Sequence, residues 1–185
     1  PEAIASFDKA IESNPYFADA YYNKGLSLSA LSKFPEAIAS FDKTLEIDSD
    51  HVKALNGKAW IMASQFPNRL VESLEIVKRA LGIDPTDIDV LYTYGFILEN
   101  LGSYQESLSI YRHILKQDPL IPEVWYRCFV SKTKTSDSES SSSDSAFYLN
   151  QAIDLNPEYA QLAKVNEQKK ISDRETHFSV PFMGI

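Results

Sequence analysis

The sequence has little of what several functional classes require. Its single cysteine, Cys128, excludes an internal disulfide framework and a zinc site built from thiolates. No apolar run approaches the roughly 20 residues that span a bilayer, and the first residues do not form a signal peptide. Lys and Arg number 18 against 26 Asp and Glu, and this net charge of −8 argues against nucleic acid as the main ligand. A lone cysteine fits a reducing compartment, so we expect a cytoplasmic protein that binds no membrane.

Residues that catalysis or cofactor binding would need are also sparse. His51, His113 and His177 lie far apart, and no pair of metal ligands has helical i, i+4 spacing. The six glycines are scattered and form no phosphate-binding loop. Cys128 has no evident base, and the favoured interpretation is a small buried apolar residue. We therefore expect no catalytic residue, no metal and no cofactor, and thus a protein that is not an enzyme.

What the chain does have is an internal repeat. Five segments read alike, and they end at Pro15, Ser49, Pro85, Pro119 and Pro157, at intervals of 34, 36, 34 and 38 residues. Each carries apolar residues at three- and four-residue steps, which predicts an amphipathic helix, and the closing Pro stops that helix. Repeats with this period indicate a stacked helical array.

A second helical pattern lies between these segments. It places a large residue early and a small one four residues later, as in Tyr21 and Gly25 or Leu91 and Gly95. A glycine inside a helix costs about 1 kcal/mol relative to alanine, so it needs a reason. We expect close crossing of the partner helix, with small residues facing small ones, as Ala37 facing Gly25.

On these residues the chain resembles the tetratricopeptide repeat family. The unit 18–51 matches through Tyr21, Gly25, Leu28, Ala37 and Phe41, and the unit 88–121 matches in the same way. The resemblance implies an all-α fold, a right-handed superhelical solenoid of antiparallel helix pairs. It predicts the following organisation: 1–17, the second helix of a truncated repeat; 18–51, a repeat; 52–87, a repeat with a two-residue insertion; 88–121, a repeat; 122–159, a degenerate repeat with a serine-rich loop at 135–145; 160–176, a capping helix; and 177–185, an apolar tail.

The resemblance also implies a concave face, lined by the first helix of each pair, where a ligand lies. Helical spacing assigns candidates to that face, and all but the aliphatic Leu26 are aromatic, amide or basic: Tyr22, Asn23, Leu26, Lys53, Asn56, Trp60, Tyr92, Phe96, Asn100, Tyr126 and Arg127. Amides can bond a peptide backbone, and aromatic rings supply contact area. The alternative for the aromatics is that they pack against the next repeat.

We therefore predict a non-catalytic scaffold for protein–protein interaction that binds a peptide segment of a partner in its concave groove. The alternatives are a structural repeat module that forms a homo-oligomer, and a targeting arm of a larger enzyme or co-chaperone. Asn23 and Lys53 match part of a clamp that some relatives use for the carboxylates of chaperones, but Gly57 stands where that clamp needs Arg.

Two further segments carry open interpretations. Ser136 and Ser141 each precede an acidic residue by three places, which acid-directed kinases favour, although an unregulated flexible insertion is the simpler interpretation. The tail 177–185 is apolar, and it either docks in an aromatic groove as a surrogate ligand or is a disordered end.

Overall fold

The computed structural model describes residues 2–135 and 141–165, in which helices are joined by short turns and no strand is present. The α-helices are α1 (Glu2–Ser13), α2 (Ala18–Ala30), α3 (Phe34–Ile47), α4 (Val52–Gln65), α5 (Leu70–Ile83), α6 (Ile88–Asn100), α7 (Tyr104–Gln117), α8 (Pro122–Lys134) and α9 (Ser141–Leu155). The all-α prediction, a helical-repeat solenoid, is confirmed. Among the described helices, none combines the length and the apolarity that crossing a bilayer would take.

An Asn or Asp side chain forms a tight turn at each junction between repeats. Its Oδ1 accepts the backbone N–H two residues later, as Asp84 does from Thr86 at 3.0 Å. The same bond recurs at Asn14, Asp48, Asp118 and Asn156. These side chains hold the turn locally, so the second helix of each repeat ends here even where Ser49 replaces the closing proline.

The described residues fall into two compact units, 2–114 and 115–165, divided within α7. In the first unit α2 packs on α3 and α4 on α5, while α3 packs on α4 and α5 on α6. Two apolar clusters fill these interfaces, one around Phe41 and Met62 and the other around Leu55 and Val77. Each pair thus buries the apolar side of its neighbour.

Aromatic rings fill the space that the glycines leave, in addition to the small residues expected there, of which Ser107 donates through Oγ to the Gly95 carbonyl at 2.9 Å. A Cβ on Gly25 would lie 2.7 Å from Cε1 of Phe41, and one on Gly95 would lie 2.7 Å from Cε1 of Tyr111. Gly57 borders the same Phe41 ring, since its Cβ would lie 2.9 Å from Cζ. Phe41 therefore lies between two glycines on different helices.

The interface between α1 and α2 repeats the one between α3 and α4. Residues 1–9 and 35–43 have the same sequence. Lys24 Nζ lies 2.6 Å from Asp8 Oδ1, and Lys58 Nζ lies 2.6 Å from Asp42 Oδ1, 34 residues further on in each case. The sequence repeat is thus also a repeat of contacts.

The insertion predicted in the repeat 52–87 lies at a short 3-10 helix, Pro67–Arg69. Arg69 donates two hydrogen bonds of 2.8 Å to the Glu72 carboxylate. The Arg69 guanidinium lowers the pKa of Glu72, chiefly through these bonds. The extra residues therefore widen the turn without interrupting α4 or α5.

The second unit consists of the end of α7, α8 and α9, followed by helical residues 159–165. Residues 141–145, which we expected in the serine-rich loop, are helical, so the loop prediction was too long at that end. Ser136 and the Ser141 side chain lie outside the described residues, as do 166–176 of the predicted capping helix and the tail 177–185.

Candidate functional site

One face of the first unit is built from neighbouring first helices. Helix α4 contacts α2 on one side and α6 on the other. The helical spacing of α2, α4 and α6 places the candidate residues of each helix on this side. We call it the first-helix face and define it by these residues: Tyr22, Asn23, Leu26, Lys53, Asn56, Trp60, Tyr92, Phe96 and Asn100.

A cleft of about 480 Å³ opens at the start of α2 and α4. It is lined by Asp19, Tyr22, Asn23, Asp48, His51, Val52 and Lys53. Three of these, Tyr22, Asn23 and Lys53, are residues that the sequence singled out. The cleft joins a phenol, an amide and an ammonium group from two repeats, so it can exchange hydrogen bonds and charge with a polar ligand.

His51 makes contacts on both sides of this cleft, although no role was predicted for it from the sequence. Its Nδ1 accepts the backbone N–H of Ala54 at 3.1 Å and so caps α4. Its Nε2 lies 3.4 Å from Oδ1 of Asp19, and its ring centroid lies 5.0 Å from that of Tyr22. A neutral imidazole with its proton on Nε2 satisfies both contacts. The available signal was the position of His51 directly before a helical run.

Two carboxylates at the start of α6 act on the Tyr22 side of this cleft. Burial raises the pKa of the Tyr22 phenol, and the charges of Asp89 and Asp87 raise it further. Asp87 caps α6 by accepting the N–H groups of Asp89 at 2.9 Å and Val90 at 3.1 Å. The phenol of Tyr22 therefore lies in a negative field.

Further along the face, Trp60 of α4 packs against α6. Its ring centroid is 4.8 Å from that of Phe96 and 5.9 Å from that of Tyr92. Tyr92 in turn lies 6.0 Å from the buried Tyr111 ring. All three face residues are partly buried. They therefore join adjacent repeats, as the alternative interpretation of the aromatics proposed, and keep some surface.

The amide side chains of the face are not equivalent. Asn23 Nδ2 donates to the Asp19 carbonyl, and Asn100 Nδ2 donates to the Phe96 carbonyl, both at 2.8 Å. These bonds fix each side chain to its own helix and leave its oxygen available. Among the described residues, buried Asn56 Oδ1 is an acceptor with no hydrogen-bond partner. Such an oxygen is destabilising by roughly 1–3 kcal/mol unless a donor reaches it.

Two predicted residues belong to the second unit. Tyr126 is only 8 % exposed and stacks on Tyr159, with ring centroids 5.0 Å apart. Its assignment to an open groove was wrong, because its ring fills the core of the second unit beside Ala152 and Ala163. Arg127 is partly buried, and its Nη2 lies 3.8 Å from Glu123 Oε1 one turn earlier.

Within residues 2–135 and 141–165, no three His, Cys, Asp or Glu side chains are grouped to hold a metal ion. Cys128 is buried, as its apolar interpretation predicted.

Comparisons with known proteins place this geometry among helical repeats. Two tetratricopeptide repeat family models match, one over residues 18–51 and the other over residues 88–119. A search of curated proteins finds no match.

Solved structures are similar in fold. "MamA 41-end from Desulfovibrio magneticus RS-1" is 15 % identical with a TM-score of 0.72, and the match covers 85 % of each chain. PilW, described as a widely conserved type IV pilus biogenesis factor, is 21 % identical with a TM-score of 0.71, and the match covers 82 % of this chain and 67 % of PilW. At these identities the likeness shows the fold alone.

Proposed function

We propose that this chain, which is a tetratricopeptide repeat protein and so a scaffold for protein–protein interaction, holds a peptide segment of a partner on its first-helix face. The observation that carries the proposal is the cleft beside Tyr22, Asn23 and Lys53. It is continuous along α2 with Leu26, which is 43 % exposed. A peptide needs both kinds of surface, since polar groups bond its backbone and apolar groups hold its side chains.

The role of this face is binding and not chemistry. Asn23 and Lys53 offer a hydrogen-bond acceptor and a cation, whereas Trp60 and Tyr92 offer ring surface. A bound segment would replace water over these groups without any bond being made or broken. The targeting and co-chaperone roles considered from the sequence would use the same binding step.

The test compares an exposed apolar residue of a first helix, Leu26, with an exposed apolar residue of a second helix, Val71. A random peptide library displayed on phage is selected on the protein, and the recovered peptides are measured by fluorescence polarisation. Leu26→Ser should weaken their binding at least several-fold. Val71→Ser is the matched control, because Val71 is an exposed apolar residue of α5, a second helix. Equal affinity for both variants, or a loss with Val71→Ser alone, would refute the assignment to the first-helix face.

A further inference from the structure

We infer that the segment held on the first-helix face carries a lysine or arginine next to an apolar side chain. This inference rests on the proposed function and names the chemical class of its ligand. It follows from how charge is distributed around the cleft, which is not the pattern that a binder of acidic chain ends would need.

Negative groups reach the cleft from three places. Asp19 and Asp48 line it directly, and the Asp19 side chain is 68 % exposed. Asp87 and Asp89 lie at the start of α6, and both act on the phenol of Tyr22. Two carboxylates therefore line the cleft, and two more at the start of α6 are near enough to act on Tyr22.

Positive groups at this edge are fewer. Lys53 is the lysine that lines the cleft. The other lysines of α2 and α4, Lys24 and Lys58, lie 2.6 Å from Asp8 and Asp42 on second helices. Those two ammonium groups are neutralised away from the cleft, so they add little to its potential. The balance at the edge is negative, in keeping with the net charge of −8 for the chain.

The residues near the cleft also suit a lysine or arginine side chain, which joins a cationic end to an apolar stem. Trp60 lies one turn after Asn56 on α4, and aromatic rings attract ammonium and guanidinium groups within about 6 Å. Leu26 provides exposed apolar surface on α2. An acidic segment would instead meet four like charges.

The experiment uses three labelled dodecamers that alternate leucine with lysine, with serine or with glutamate. Affinity is measured by fluorescence polarisation at low and at high salt. We expect the Lys-Leu peptide to bind roughly tenfold more tightly than the Ser-Leu peptide at low salt and to lose most of this advantage at high salt. The Glu-Leu peptide should bind weakest.

Two double variants that each remove two negative charges distinguish binding at the cleft from general attraction of a basic peptide to an acidic protein. Asp19→Asn with Asp89→Asn should weaken Lys-Leu binding roughly three- to tenfold, as expected for two exposed ion pairs. Glu12→Gln with Glu106→Gln removes the same charge from exposed positions on α1 and α7 and should change it little. Equal losses in the two double variants would mean attraction to net charge only and would overturn the inference.

The two proposals can fail separately. If the Ser-Leu peptide binds best, and library peptides that lose affinity in Leu26→Ser are not enriched in Lys or Arg, the inference is refuted while the proposed function stands. If neither the dodecamers nor any library peptide depends on Leu26, both are refuted.

Discussion

The position of Phe41 between two glycines can be tested by filling that space. Gly25→Ala would put a methyl carbon 2.7 Å from Cε1 and 2.9 Å from Cδ1 of a fully buried ring. The ring has little room to move away, because Gly57 borders it on α4. Overpacking a filled core destabilises by roughly 1–3 kcal/mol. The gain in helix propensity from Gly to Ala offsets about 1 kcal/mol of this.

The expected net result is a loss of up to about 2 kcal/mol in the free energy of unfolding. Gly82→Ala is the matched control, since Gly82 lies in α5 and a Cβ there meets nothing within 4 Å. That variant should gain up to about 1 kcal/mol, because only helix propensity changes. Urea unfolding followed by far-UV circular dichroism gives both values from the midpoints, provided that the slopes agree.

A Phe41→Leu background isolates the cause. With the ring removed, Gly25→Ala should no longer destabilise the protein, and its effect should approach that of Gly82→Ala. A second check is Gly25→Ala with Gly57→Ala, which should lose more than the two single changes together, because the ring is then closed in from both sides. If Gly25→Ala is as stable as Gly82→Ala in the original background, the packing argument is wrong.

Four other outcomes follow from the contacts described above. His51→Ala should lower the free energy of unfolding by about 0.5–2 kcal/mol through loss of the α4 cap, whereas His51→Asn should retain most of it. Burial and the carboxylates of Asp87 and Asp89 raise the pKa of Tyr22. The neutral phenol therefore contributes its full stabilisation below the ordinary tyrosine pKa of about 10, and this contribution is lost as the pH rises through the higher pKa of the folded protein. Ultraviolet titration of the protein and of Tyr22→Phe measures this pKa. Cys128 is fully buried and should react with a thiol reagent only at the rate of unfolding; fast labelling of the folded protein would contradict this. Asn56→Leu should stabilise the protein by about 1 kcal/mol, since it removes a buried acceptor that has no partner; a lower urea midpoint would show that Asn56 is satisfied.

The sequence predicted the helix pairs because their signals are local. Apolar spacing and the repeated interval identify each helix, and the turns are held by a side chain within two residues of its partner. The cap that His51 provides is a local contact with such a signal, but its contact with Asp19, 32 residues earlier, could not be predicted in this way. The same holds for Phe41, because periodicity gives the face of one helix but not which atoms of another helix meet it.

The error at Tyr126 has a related cause. Helical phase resolves a face only to about one residue, or 100° of rotation, so neighbouring positions can exchange places between surface and core. In α8 the ring that turns inward belongs to Tyr126, and Tyr159, 33 residues later, supplies the surface on which it stacks. The sequence therefore predicted most of the fold and only part of the candidate site.

The matching contacts of α1 and α3 have a consequence for how such a chain can change in length. An in-frame loss of residues 18–51 would join Phe17 to Val52 and bring α1 against α4. Lys58 would then find Asp8 in place of Asp42, and Gly57 would find the ring of Phe7 in place of Phe41. A recombination event could thus shorten or extend the gene by one whole repeat and keep these two contacts, although α4 would lose the cap that His51 provides, since Phe17 would then precede Val52.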